Sequence, residues 1–115
     1  MRDADAGALQ IVSGPQFFTN ASTLAELALE ARLPTMCEWR SMAAQGCFLG
    51  YGPDYAELQH RVADYVARIF HGVSPGELPI EGPTHYEFAI NLKTAKTLGL
   101  TLPPVILARA DEVIE

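Results

Sequence analysis

Basic side chains are few in this chain: 8 Lys and Arg stand against 14 Asp and Glu, a formal net charge of -6. With no cluster of Lys and Arg to neutralise phosphates, nucleic acid and anionic membrane are excluded as general partners. Cysteine is nearly as sparse. Cys37 and Cys47 are too few for a disulfide framework and lack the paired spacing of a zinc site. Each lies in an apolar run, so burial as a small hydrophobe is the leading reading; pairing stays open if the two runs are neighbouring strands. His60, His71 and His85 are scattered over separate segments, so no metal site and no cofactor are expected. Ser13-Gly14-Pro15 lacks the flanks of a nucleophile elbow, and no histidine stands where it would serve a serine or cysteine as base; no catalytic set is expected. Long apolar runs are missing too, and none approaches the ~18 residues of a membrane span. Met1 to Gly7 is too polar for a signal peptide, so no export signal is expected in this chain.

What is present is ordinary globular composition, 49% hydrophobic and 19% charged over 115 residues, enough for one domain or a piece of one. Ala8 to Ser13 reads as a buried strand stopped by Gly14-Pro15, with a loop over 16–20. A helix is expected from about Thr23 to Arg32, where Thr23 and Glu26 have capping-box spacing and Leu24, Leu27, Ala28 and Ala31 share a face. Asn20-Ala21-Ser22 matches a glycosylation sequon and reads better as a polar helix entrance. Pro53-Asp54 opens the longest helix, with Glu57 reciprocating the Asp54 cap. Tyr55, Leu58, Val62, Tyr65, Val66, Ile69 and Phe70 recur along it at three- and four-residue steps. Gly72 to Pro83 is a proline-glycine connector. Then Tyr86 to Ile90 alternates like a strand, Asn91 caps a short helix ended by Gly99, and a short helix and strand close the chain. The order of strands and helices predicts an α/β protein with a parallel sheet flanked by helices.

The chain is organised around residues 34–52. Thr35-Met36-Cys37 and Cys47-Phe48-Leu49 read as strands, Glu38 to Gln45 as a short helix, and Gly50 and Gly52 as stops. In open α/β sheets ligands sit beyond the carboxyl ends of the strands. Those ends carry Glu38, Trp39, Tyr51 and Gly52. Glu38 is a candidate partner for an amino group, or a carboxylate favourable at a helix start. Trp39 would stack on a ligand ring, or pack against the core. Tyr51-Gly52 offers a ring and a bare backbone, or a plain turn. Phe17 and Phe18 are placed to line a cleft mouth, with one of them more at home in the core.

Leu33-Pro34, Glu38-Trp39-Arg40, Gly46 and Tyr51-Gly52-Pro53 resemble the tryptophan/tyrosine-type substrate-binding proteins of ABC transporters. The resemblance runs on through Tyr65-Val66, Gly72 and Pro75. It is closest over Asn91-Leu92-Lys93-Thr94-Ala95-Lys96, Pro103-Pro104 and Leu107 to Ile114. Cys47 stands where that family usually has a second glycine, Gly50 replaces a serine, and Ser13-Gly14 lies where an aspartate is common. The resemblance implies a partial periplasmic-binding-protein lobe, type I-like, with a C-terminal crossover strand-helix arm. Residues 1–82 would be part of the second lobe and 83–115 would pack on the first. It further implies a small amino-acid-like ligand held by Ser13, Gly14, Phe17, Glu38, Trp39, Tyr51 and Gly52, an ABC permease as partner, and a periplasmic or extracytoplasmic home for the longer parent. Exposed apolar faces at Phe88 and Ile90 predict a homodimer through the arm. Two alternatives stand beside this: a small α/β enzyme of hydrolase type, and a self-associating fragment that binds nothing.

Overall fold

The computed structural model describes residues 6–115, and the chain divides into two compact units. One combines the chain up to Gly52 with Glu87–Glu115; the other is Pro53–Tyr86.

Five strands form one sheet in chain order: β1 (Leu9–Ile11), β2 (Thr35–Cys37), β3 (Leu49–Pro53), β4 (Tyr86–Asn91) and β5 (Glu112–Ile114). β1, β2 and β3 are parallel, with Ile11 beside Cys37 and Cys37 beside Gly50. β4 and β5 are parallel to each other. Between β3 and β4 the direction reverses. Asn91 N–H donates to Phe48 O and the Tyr51 ring meets Phe88, so residue numbers rise on one strand as they fall on the other. The carboxyl ends of β1–β3 therefore share an edge with the amino ends of β4 and β5. The sheet is mostly parallel, and residues 87–115 belong to the unit that holds β1–β3.

Inside the first unit, Ile11, Ala21, Ala25, Cys37, Met42 and Cys47 form the core, with Leu9, Leu24 and Trp39 packed against it. Pro15–Thr19 is a helix, α1, and not the expected loop. Pro15 suits a first helical turn because its missing N–H would be unpaired there anyway, and Phe17 and Phe18 N–H donate to Gly14 O. α1 runs almost directly into α2 (Ala21–Glu30), which begins before Thr23, so no capping box forms there. Asn20 instead donates its side-chain amide to Gln16 O. The buried face of α2 is Ala21, Ala25 and Ala28, while Leu27 is exposed. Small residues face inward because α3 (Arg40–Ala44) lies close: a Cβ on Gly46 would stand 3.2 Å from Ala25 Cβ. α5 (Leu92–Leu98) joins the same layer, Thr94 donating to Gly46 O at 2.9 Å and Asn91 to Ala43 O at 2.8 Å. Asn91 also caps α5 through Thr94 N–H, as its position predicts. α6 (Pro104–Leu107) and β5 finish the unit, Asp111 accepting from Phe88 N–H.

The two cysteines are paired. Cys37 and Cys47 form a disulfide with Cα atoms 6.4 Å apart, because β2 and the start of β3 are neighbours. Ile90 is fully buried and Phe88 half-buried, so neither supplies the exposed arm face the sequence suggested.

The second unit is built on α4 (Tyr55–Phe70). Asp54 caps it, accepting from Ala56 and Glu57 N–H. Glu57 does not reciprocate; its carboxylate accepts from Arg61 and from Thr84 Oγ1. The connector is lashed alongside by Arg61 to Gly82 O and by the Tyr65 hydroxyl, which donates to Pro79 O at 2.6 Å. Asp54 N–H donates to His85 O, so the unit starts and ends at one place.

Candidate functional site

The β1–β3 register places the predicted residues in rows along the carboxyl edge. One position beyond the Ile11–Cys37–Gly50 row stand Val12, Glu38 and Tyr51; two beyond stand Ser13, Trp39 and Gly52. All of them belong to the first unit.

β1 contributes Ser13, exposed, and Gly14, on which the Phe17 ring folds back: a Cβ there would meet Phe17 Cδ2 at 3.2 Å. Phe17 and Phe18 are 38% and 39% exposed, so neither lies in the core. The α1 turn that follows Gly14 carries both rings to the surface instead.

β2 contributes Glu38 and Trp39. Trp39 is the N-cap of α3 and packs against the core cluster, which favours its packing role. Glu38 is half-buried, and its Oε2 is shielded from solvent with no hydrogen-bond partner among the described residues. A shielded carboxylate oxygen without a donor is unfavourable unless something supplies one. This is the most informative atom of the edge.

β3 contributes Tyr51 and Gly52. The glycines lie within the strand rather than stopping it, because the β2–α3 turn folds back over β3. A Cβ on Gly50 would stand 2.7 Å from Trp39 O, and one on Gly52 would fall far inside contact distance of Glu38 O. The bare backbone is thus filled by the chain itself, and Gly52 acts by making room for the Glu38 turn. Tyr51 points away from that crowding, 48% exposed, its ring edge-on to Phe88 with centroids 6.2 Å apart. Gly50-Tyr51-Gly52 makes no phosphate cradle, since the following helix is already capped by Asp54.

Val12, Phe88 and Arg40 join this edge without having been expected as ligand contacts. Val12 is 58% exposed beside Glu38. Arg40 pairs with Glu87 at 2.7 Å and Glu112 at 2.9 Å, linking α3 to β4 and β5. Arg40 follows Glu38-Trp39 directly, but only the antiparallel β3–β4 pairing brings the two acidic partners to it. Among the described residues no group of three His, Cys, Asp or Glu side chains could hold a metal ion. No helix among them is long and apolar enough to cross a membrane.

The strand ends of this α/β sheet thus carry a half-buried carboxylate and exposed apolar rings, groups able to contact a small solute. Comparison with known proteins bears on the family and the fold. Residues 4–114 match the family described as ABC transporter substrate binding protein, and the chain belongs to that family. A conserved domain protein from Vibrio cholerae has the same fold over 94% of this chain, with TM-score 0.88 and 27% identity. The ABC domain from Streptococcus pneumonia solved with L-Trp superposes over 96% of it, with TM-score 0.85 and 20% identity. A ligand-free, open substrate-binding protein with adhesive properties from Clostridium difficile is more distant, at TM-score 0.60 and 16% identity. The chain spans 36% of the first and third of these proteins and 38% of the second. No curated protein matches it.

Proposed function

We propose that this chain is the larger part of one lobe of an ABC-importer substrate-binding protein, and that the longer protein takes an amino-acid-like solute with an aromatic side chain. The orphaned Glu38 Oε2 carries this reading, because an ammonium group would satisfy it with a charge-assisted bond. The exposed rings of Tyr51 and Phe17 supply apolar area for the rest of the solute, with Ser13 as a polar contact. The L-Trp bound by the Streptococcus protein of like fold has both features. Family membership supports delivery to an ABC permease in an extracytoplasmic compartment by the longer protein. A buried disulfide suits such an oxidising setting.

The two units suggest how the lobes divide. We read the sheet, β4 and β5 included, as the lobe that bears the ligand edge. Pro53–Tyr86 is then the part made to meet the other lobe. α4 has a strong apolar face and no buried residue, and Phe70 and Ile80 are 85% and 104% exposed. On this reading the division falls at Pro53 and Tyr86, beside the division at residue 82 that the family resemblance implies.

Thermal shift of the full chain against L-tryptophan, 3-indolepropionate and tryptamine tests the site. The first and third are expected to raise Tm through preferential binding to the folded state, and the second, lacking the ammonium group, to leave it unchanged. Glu38→Gln should abolish the response. Equal shifts with and without the ammonium group would defeat the reading. Light scattering on the same sample separates a homodimer from a monomer. If copies associate, the exposed α4 face rather than Phe88 and Ile90 is the surface to disrupt.

A further inference from the structure

Glu38 and Trp39 sit inside the loop that the Cys37–Cys47 disulfide closes, a sequence separation of 10. The loop's other anchors lie beyond Glu38: Trp39 and Met42 pack with the core, Ala43 is buried, and Ala43 O and Gly46 O accept from Asn91 and Thr94. β2 is 3 residues long and α3 only 5, far below the length at which a helix is stable alone. The Arg40 ion pairs that tie the loop to β4 and β5 are partly exposed to solvent, which weakens such pairs. The bridge, by contrast, is buried: Cys37 is 2% exposed and Cys47 0%. It fixes the residue immediately before Glu38 to the residue immediately after Gly46, where α3 has ended. At the same spot the backbone of Glu38 and Trp39 presses on Gly50 and Gly52 closely enough that no other residue type would fit there unshifted.

We propose that the Cys37–Cys47 bridge is a positioning element for the carboxyl edge. It holds the Glu38–Trp39 turn against β3, and its reduction loosens residues 38–46 while the rest of the sheet stays folded. As a role in ligand binding, this rests on the reading of that edge as the ligand site. The chemistry is a two-electron reduction. A dithiol reagent breaks the sulfur–sulfur bond, the two cysteine sulfurs each gain a proton, and the reagent is released as a cyclic disulfide. Because both sulfurs are buried, the reagent acts only when the segment opens, so the bridge stays closed against brief exposure to reductant.

The test compares the oxidised chain, the same chain reduced by prolonged dithiothreitol, and the Cys37→Ala/Cys47→Ala double variant. Amide hydrogen exchange is read residue by residue, alongside emission from Trp39, the sole tryptophan. Exchange over 38–46 is expected to quicken by about tenfold to a hundredfold in both bridge-free forms, the range loop closure of this length implies. Amides of β4 and α5 should keep their rates, and Trp39 emission should change. Unchanged exchange over 38–46, or an equal acceleration throughout the sheet, would overturn the positioning role. L-tryptophan titration separates the two readings: loss of affinity with the bridge supports both, and equal affinity with and without it removes the positioning role. Binding to neither form, with 38–46 loosened alone, leaves the clip standing and defeats the ligand site.

Discussion

The two units of this chain invert the usual relation between sequence pattern and burial. α4 is the most regularly amphipathic segment in the chain, yet it buries no residue. The first unit, made of strands of 3 to 6 residues and mostly short helices, holds the disulfide and the whole buried core. Periodicity guarantees that an apolar face exists; only tertiary contacts decide whether it is covered. In the first unit the covering comes from small residues that let backbones approach, namely Ala21, Ala25, Ala43, Gly46, Gly50 and Gly52. Tight backbone approach works there together with the larger buried side chains of Met42, Phe48 and Ile90.

The sharpest way to break the contrast is Gly52→Ala. The new methyl would collide with the Glu38 carbonyl, a backbone atom that cannot swing aside, and the cost should be about 3 kcal/mol or more. Gly82→Ala in the second unit meets nothing within 4 Å and should be close to neutral. Chemical denaturation of both variants checks the pair. Next in size, Met42→Ala empties a core position that is 2% exposed and should cost about 2–4 kcal/mol. Val62→Ala on α4, 58% exposed, should stay within about 0.5 kcal/mol in this chain. If α4 is covered by another lobe in the longer protein, the same Val62 change there should approach the core value.

Smaller effects probe the edges of each unit. Arg32 takes φ 57° beyond the end of α2, while Leu33 N–H donates to Ala28 O, a helix stop that normally falls to glycine. Arg32→Gly should therefore stabilise the first unit by about 0.5–1 kcal/mol, measured as a rise in denaturation midpoint. In the second unit, the Tyr65 hydroxyl titrates above the usual 10.0, through its partial burial and then the neighbouring Glu81 carboxylate. A raised folded-state pKa means the folded state holds the proton more tightly. The contribution is therefore complete below pH 10 and is lost as pH rises through the raised value. The denaturation midpoint of the parent chain should fall as pH rises above 10, and Tyr65→Phe should lessen that fall.

Local chemistry was legible in the sequence and long-range pairing was not. Asp54 and Asn91 cap the helices their positions predict, Gly99 ends α5, and β2 falls on Thr35–Cys37 as the residues suggest. These features depend on neighbours a few residues away. The reversal at β4 does not, because it follows from a return path of more than 30 residues that ends with His85 beside Asp54. The role of Gly50 and Gly52 was hidden for the same reason: their neighbours are the carbonyls of Trp39 and Glu38, and a glycine's own flanks do not reveal which backbone crosses it. Trp39 shows the limit for the site. Its place after β2 was readable, but its packing against the core cluster needed the fold. Glu38 was readable as a candidate for a charge partner, and only burial picked out which of its oxygens is orphaned.

The hydrogen bond from Asp54 N–H to His85 O has an architectural consequence. Topologically, β3 and β4 are the two arms of a hairpin, and everything from Asp54 to His85 is an insertion at its tip. An insertion whose ends already touch adds little closure entropy to the strands that carry it. Its length and cargo are thus free to vary while the ribbon beneath keeps its register. A helix and strap occupy that position in the chain here.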